Sequence, residues 1–314
     1  MKRSEINKAL KDLENMLREY QYFLPKFADF TPEEWKSKGH EFDEIRDNML
    51  GWDITDYGLG KFDEVGFSLF TIRNGNLKMQ DKYKKPYAEK FLYLKEGQYA
   101  PNHFHWYKME DIINRGGGNI LIRVFNSLPD ESIDKQNDVT VHIDGETRVV
   151  PAGTQVRLEP GMSISIMQGM YHDFEVEPGT GAVLIGEVSQ CNDDNTDNRF
   201  EPPVGRFPEI EEDEPPYRLL CNEYPPHLPY NLHFPEGSGH PLGYLRHPQR
   251  SIFSLYSMFS SPPLLSFLPV FLHFAPPPGT VSEIHSRICM YFHFFCSLDD
   301  TLFSGICQDN LILL

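Results

Sequence analysis

Two histidines one residue apart, followed by a glutamate and bracketed by glycines, constrain this chain more than anything else in it. The run is Gly97-x5-His103-x-His105-x4-Glu110-x6-Gly117. Side chains alternate faces along an extended segment, so His103 and His105 point the same way and both imidazoles reach one ion. Glu110 needs only a bend after Trp106 and Tyr107 to swing its carboxylate toward the same point. Two nitrogens and one hard oxygen suit a divalent transition ion with open positions better than a closed structural zinc. The run therefore asks for strand, turn and strand, with a fourth ligand supplied from elsewhere.

The sequence around the run reads as mainly β. Residues 3 to 20 form an amphipathic helix with Ile6, Leu10, Leu13 and Leu17 on one stripe. A second helix is expected from Thr31, where Thr31-Pro32-Glu33-Glu34 combines an N-cap, a proline at the first helical position and a capping-box glutamate. After Trp52 the pattern changes to short apolar stretches separated by turns. These are 66–72, 90–94, 120–125, 139–143, 147–150, 155–158, 163–166 and 182–188, with the hairpin signal Asp144-Gly145 between two of them. Many short strands at such spacing predict a jelly-roll barrel with helical decoration at its N-terminal side.

Composition narrows the partners. The 314 residues are 40% hydrophobic, enough for a real core in one large domain or two. A formal net charge of -17 argues against nucleic-acid and anionic-membrane partners and makes a strongly phosphorylated substrate less natural. Cys191, Cys221, Cys289, Cys296 and Cys307 have no paired spacing of the zinc or redox kind, which fits a reducing cytoplasm. No signal peptide is visible behind Met1-Lys2-Arg3-Ser4-Glu5.

From Tyr230 onward there are only three basic and five acidic residues, and serine, proline, phenylalanine, leucine and histidine take over. Residues 252–275 carry no charge, but Pro262, Pro263 and Pro269 interrupt them. Each interior proline costs a helix about 3 kcal/mol, so a membrane span is not the expectation. The tail histidines form no ligand pattern. The division read from the sequence is 1–55 as helical decoration, 56–228 as the metal-binding barrel, and 229–314 as an unassigned extension foreign to the fold.

The fourth ligand comes from Gly161-x5-Met167-x-Gly169-x2-His172, which opens on Glu159-Pro160-Gly161 and runs through the alternating Ser163-Ile164-Ser165-Ile166. Together the two segments resemble the paired motifs of the cupin superfamily. Met167 stands where that pattern prefers proline and Val176 where it prefers asparagine; both departures touch turn geometry and leave the ligands in place.

Other residues near the motifs carry candidate chemistry. Lys108 lies between the histidine pair and Glu110, so a cation is held near the ion, where it could orient a hydroxyl or stabilise negative charge on oxygen. Glu187 ends Ala182-Val-Leu-Ile-Gly-Glu187 on the face of Val183 and Ile185, and an acid turned inward there is costly unless paired or used. The polar stretch Asn192 to Phe200 follows as a candidate polyol-binding lid, with Asp197 and Arg199 clamping hydroxyls or neutralising one another. His142, Trp106 and Tyr107 read as core or wall.

Residues 1 to about 228 resemble the D-lyxose isomerase family of cupin-type aldose–ketose isomerases. The resemblance is carried by Pro101-Asn-His-Phe-His-Trp-Tyr-Lys-Met-Glu110-Asp-Ile-Ile-Asn-Arg-Gly-Gly-Gly118, by Met170-Tyr-His172-Asp-Phe, and by Gly186-Glu-Val-Ser-Gln-Cys-Asn-Asp-Asp-Asn-Thr-Asp-Asn-Arg-Phe200. It implies manganese-dependent interconversion of D-lyxose with D-xylulose and of D-mannose with D-fructose, with His103, His105, Glu110 and His172 as ligands. On that reading Glu187 is the base, and Lys108 and Arg199 stabilise enediolate oxygens. A homodimer is expected, as cupins often form. The rival readings are an Fe(II) cupin dioxygenase, a non-catalytic sugar-binding cupin and a phosphosugar isomerase, the last lacking a visible basic cluster for phosphate.

Overall fold

The computed structural model describes residues 1–193 and 196–227. The extension 229–314, with its uncharged stretch and its histidines, lies outside the described residues. The amphipathic stripe forms α1 (Arg3–Glu19), and Ile6, Leu10, Leu13 and Leu17 are fully buried. The capping box at Thr31 is made, Glu34 N–H donating to Thr31 Oγ1 at 3.2 Å, but α2 (Pro32–Trp35) is a single turn. Its Trp35 is buried against Phe30, Phe42 and Tyr224, and Gly39 follows before the chain starts α3 (Asp43–Asp47).

The strands among the described residues are β1 (Gly51–Thr55), β2 (Phe67–Arg73), β3 (Tyr87–Leu94), β4 (Tyr99–Phe104), β5 (Glu110–Gly117), β6 (Ile120–Ser127) and β7 (Ile133–Asp134). They continue as β8 (Val139–Ile143), β9 (Glu146–Val150), β10 (Gln155–Leu158), β11 (Ser163–Ile166), β12 (Tyr171–Val176), β13 (Val183–Gln190) and β14 (Arg199–Phe200). One sheet runs β1-β2-β3-β13-β5-β11-β8-β9 and the other β10-β6-β12-β4-β14, with all named pairings antiparallel. Asp144 (φ 50°) and Gly145 (φ 84°) turn the β8–β9 hairpin, as their sequence predicts. Gly117 (φ 90°) earns its place in the motif, because a Cβ there would stand 2.2 Å from the Ala182 carbonyl oxygen.

One apolar core fills the space between the sheets, with Leu69, Leu92, Ile112 and Ile185 from the first facing Ile122, Val124 and Phe174 from the second. The architecture is thus the mainly β, cupin-like barrel that the motifs imply. A second core lies outside the first sheet, where α1 packs on Trp52, Ile54, Phe70, Phe91 and Leu184. Strands buried on both faces lose the period-two signature. That accounts for β1, which forms an edge strand at 51–55 inside the stretch read as helical. Residues 201–227 return along α1 as an irregular strap. Arg3 is paired with Glu212 and Glu223, and Tyr217 donates from its hydroxyl to Glu14 at 2.7 Å. No helix among the described residues is long and apolar enough to cross a membrane.

Candidate active site

The site sits between the two sheets, and each sheet contributes to it. β4 carries His103, with His105 just past its end, and β12 lies beside it with His172 opposite His103. The chain bends at Trp106 and Tyr107 and enters β5 in the other sheet at Glu110. All four side chains are buried.

The rings are held by their outer nitrogens. Nδ1 of His103 faces the Pro101 carbonyl at 2.8 Å, that of His105 the Asp197 carbonyl at 3.0 Å, and that of His172 the Met170 carbonyl at 3.1 Å. A carbonyl oxygen can only accept, so each Nδ1 carries the proton and each Nε2 presents a lone pair inward. Nε2 of His105 and of His172 lie 3.4 and 3.1 Å from Glu110 Oε1, yet among the described residues neither buried nitrogen has a hydrogen-bond partner. Two ligand atoms about 2.1 Å from a shared ion stand roughly 3.0–3.4 Å apart, so this spacing fits an ion between them. One ligand atom from each of the three histidines lies within 4.8 Å of the others. Burial, then His172 and His105 beside it, holds His103 well below the ordinary histidine value, in its ligand form.

Beside this cluster is a buried network of alternating charge. Lys108 Nζ lies 2.6 Å from Glu110 Oε2 and 3.1 Å from Glu187 Oε1, and Lys90 Nζ lies 3.2 Å from Glu187 Oε1. Ser189 also donates to Glu187, at 3.1 Å. Burial pushes the Glu187 carboxyl upward, but Lys108 and then Lys90 outweigh it and hold the group below its ordinary value, ionised. Glu110 follows the same pattern with Lys108 the leading cation, and ends well below the carboxylate range. A buried charge stripped of its partner costs about 3–5 kcal/mol, which explains why these four occur as a set. A cavity of about 60 Å³ is lined by Lys90, His103, Lys108, Glu187, Phe200 and Arg206, among others.

Two expected substrate contacts are placed differently. Asp197 is buried, and its carboxylate accepts from Tyr107 N–H at 2.8 Å and Lys108 N–H at 2.9 Å. It therefore pins the bend between His105 and Glu110, where the sequence suggests a hydroxyl clamp or a partner for Arg199. Arg199 lies on β14 with Glu131 at 3.5 Å and Glu201 at 3.3 Å and does not line the cavity. Residues 194 and 195 of the lid, just before Asp197, lie outside the described residues. His142 pairs with Thr147 at 3.0 Å, and Trp106 and Tyr107 stand at the surface.

Sequence reasoning passed over Lys90, Arg206 and Phe200. Lys90 had a signal: it shares the inward face of β3 with Ala88, Leu92 and Leu94, the same pattern that marked Glu187. Arg206, held by Asp53, sits in the irregular strap and had none. Phe200 stacks on His103 at 5.1 Å, a contact only the β4–β14 pairing creates.

Comparison with known proteins agrees with the motifs. A sequence model of the D-lyxose isomerase family matches residues 1–224. A D-lyxose/D-mannose isomerase of Escherichia coli O157:H7 is 45% identical over 225 residues, covering 71% of this chain and 98% of that protein. A second D-lyxose/D-mannose isomerase, from Serratia proteamaculans, is 44% identical over 225 residues, with the same coverage of 71% and 98%. Among solved structures, an L-ribose isomerase of Cellulomonas parahominis with L-ribose aligns at 15% identity and TM-score 0.44, over 67% of this chain and 98% of that one.

Proposed function

Since the chain belongs to the D-lyxose isomerase family and is a sugar isomerase, we propose that it interconverts D-lyxose with D-xylulose, and D-mannose with D-fructose, with a divalent ion, best Mn²⁺, in the histidine cluster. The ion would be held by His103, His105, Glu110 and His172, and when bound it supplies Lewis-acid polarisation of the sugar O1 and O2. Nitrogen and carboxylate donors together with open positions suit manganese.

The chain's own residues perform the proton transfer. Glu187, ionised, takes the proton from C2 of the open-chain aldose; the C–H pair becomes the C1–C2 double bond and the carbonyl pair moves onto O1. Returning that proton to C1, while the O2–H proton passes to O1 and the O2 electron pair closes the C2 carbonyl, yields the ketose. Lys108 and Lys90 stand beside the base and offset the negative charge that develops on oxygen. With neutral imidazoles, two lysines balance two glutamates, so a divalent ion leaves the pocket positive, as an enediolate requires. The observation that carries the reading is that one buried ammonium, that of Lys108, touches both Glu110 and Glu187 and so ties the base to the ligand set.

The same reading places activity in residues 1–228 and none in 229–314, with a cytoplasmic homodimer acting on free monosaccharides. The test is turnover of D-xylulose in D₂O with Mn²⁺, on the full chain and on a chain ending near Pro229, each sized in solution. Deuterium is expected on C2 of the D-lyxose formed, at equal rates, from dimers. Product free of deuterium would indicate a hydride shift instead, and an inactive shorter chain would overturn the division at 228.

A further inference from the structure

A second group of histidines and a carboxylate lies outside the barrel. His40, in the turn before α3, Asp43, the first residue of α3, and His227, at the far end of the strap, bring three donor atoms within 4.8 Å of one another. Nδ1 of His40 is 2.8 Å from Asp43 Oδ2, and Nδ1 of His227 is 3.3 Å from Asp43 Oδ1. The imidazole ring centres are 3.6 Å apart, with the ring planes tilted by 36°. The two nitrogens converge on opposite oxygens of one carboxylate from residues far apart in sequence.

We propose that His40, Asp43 and His227 form a second metal site, for Zn²⁺ or a similar late divalent ion, that clamps the end of the strap to the α3 turn. Two nitrogens and one oxygen are a zinc-type donor set, with the remaining position left to water. The spacing is close to what an ion needs. Ligand atoms about 2.1 Å from a tetrahedral ion stand roughly 3.4 Å apart, so the His227 contact already fits and the His40 contact opens by a fraction of an ångström. Side-chain exposures of 42% for His40 and 39% for His227 let an ion enter without unfolding.

The surroundings give the clamp something to hold. Tyr224 stacks on Trp35 at 4.0 Å, and the Pro225 carbonyl accepts from Arg46 Nε at 2.9 Å, so the strap already docks here. Arg46 Nη1 also lies 3.4 Å from Asp43 Oδ1, a cation that opposes the ion. Arg46 is anchored on other groups as well, donating to the Gly39 and Lys38 carbonyls at 2.9 and 2.7 Å, and so can yield that long contact.

Zinc alone is the probe, and His40→Gln and His227→Gln are the variants, each made in the full chain. Equilibrium dialysis against micromolar Zn²⁺ followed by metal analysis reads the stoichiometry, and thermal unfolding with and without zinc reads the clamp. Each variant is expected to bind one Zn²⁺ equivalent fewer than the parent chain and to lose the zinc-dependent rise in Tm, while keeping Mn²⁺-supported turnover. Because the barrel site and every other histidine are unchanged, their zinc cancels in the comparison. Equal zinc content in parent and variants would overturn the proposal and leave the cluster a hydrogen-bonded triad.

Discussion

The imidazoles between the sheets and those beside α3 face their carboxylates in opposite ways. In the barrel each Nδ1 is taken by a backbone carbonyl, and the Nε2 atoms turn inward, those of His105 and His172 without a hydrogen-bond partner among the described residues. Beside α3 the Nδ1 atoms themselves point at Asp43, in partial solvent, where His40 is already hydrogen-bonded to it and His227 lies 3.3 Å away. The same residue types thus make a preorganised donor set in one place and a carboxylate-paired triad in the other. What differs is the shell behind the ligand, because orientation fixed in advance costs nothing when the ion arrives.

The largest way to break this contrast is to remove the oxygen ligand of the buried set. Glu110→Ala is expected to abolish manganese binding and reduce turnover to background, measured by metal content and by ketose formation. Lys108 would also lose its nearest anion, so the variant's Tm should fall, in line with about 3–5 kcal/mol for breaking a buried pair. A smaller effect is expected behind the ligands. Asp197→Asn leaves every ligand in place but weakens two bonds to the 107–108 backbone, so manganese affinity should drop about 10–100-fold. Titration of Mn²⁺ against turnover reads this directly, and unchanged affinity would remove Asp197 from the supporting shell.

Acid sharpens the comparison further. In metal-free protein the folded value of His103 lies well below its ordinary one, so near pH 6 the unfolded chain binds a proton that the folded chain does not. Stability therefore falls as pH drops through about 6.5, by at most about 1.4 kcal/mol per pH unit from this residue. Glu110 and Glu187, both held low, keep their contributions until the pH falls through the carboxylate range. Denaturation of the metal-free chain at pH 7 and pH 5.5 should show the loss, and His103→Gln should flatten it.

The part of the site that obeys local periodicity was legible in the sequence. His103 and His105 alternate on a strand edge, Glu110 follows a bend, and Glu187 interrupts an apolar face. Lys90 obeys the same rule and was passed over because a lysine in a strand reads as solvated until its cross-strand partner, Glu187, is known. The polar run around Asp197 gives no hint that its carboxylate accepts from backbone N–H groups ninety residues earlier. β1 escaped for a different reason: Trp52 and Ile54 bury against α1 as its remaining residues face other neighbours, so no alternation is left to read. The strap has no period at all. Its position is set by Arg3, Glu14 and Trp35, contacts that span some two hundred residues and that no local pattern encodes.

The central claim is that Glu187 moves the proton while the histidine cluster holds the ion, and Glu187→Gln tests it most directly. The amide keeps the shape of the carboxylate and none of its basicity, and general-base catalysis contributes about 10²–10⁴ in rate. Manganese content and D-lyxose turnover should be measured on the same sample. A full complement of Mn²⁺ with kcat reduced at least a hundredfold is the predicted result; near-parental turnover by a metal-loaded variant would contradict the account.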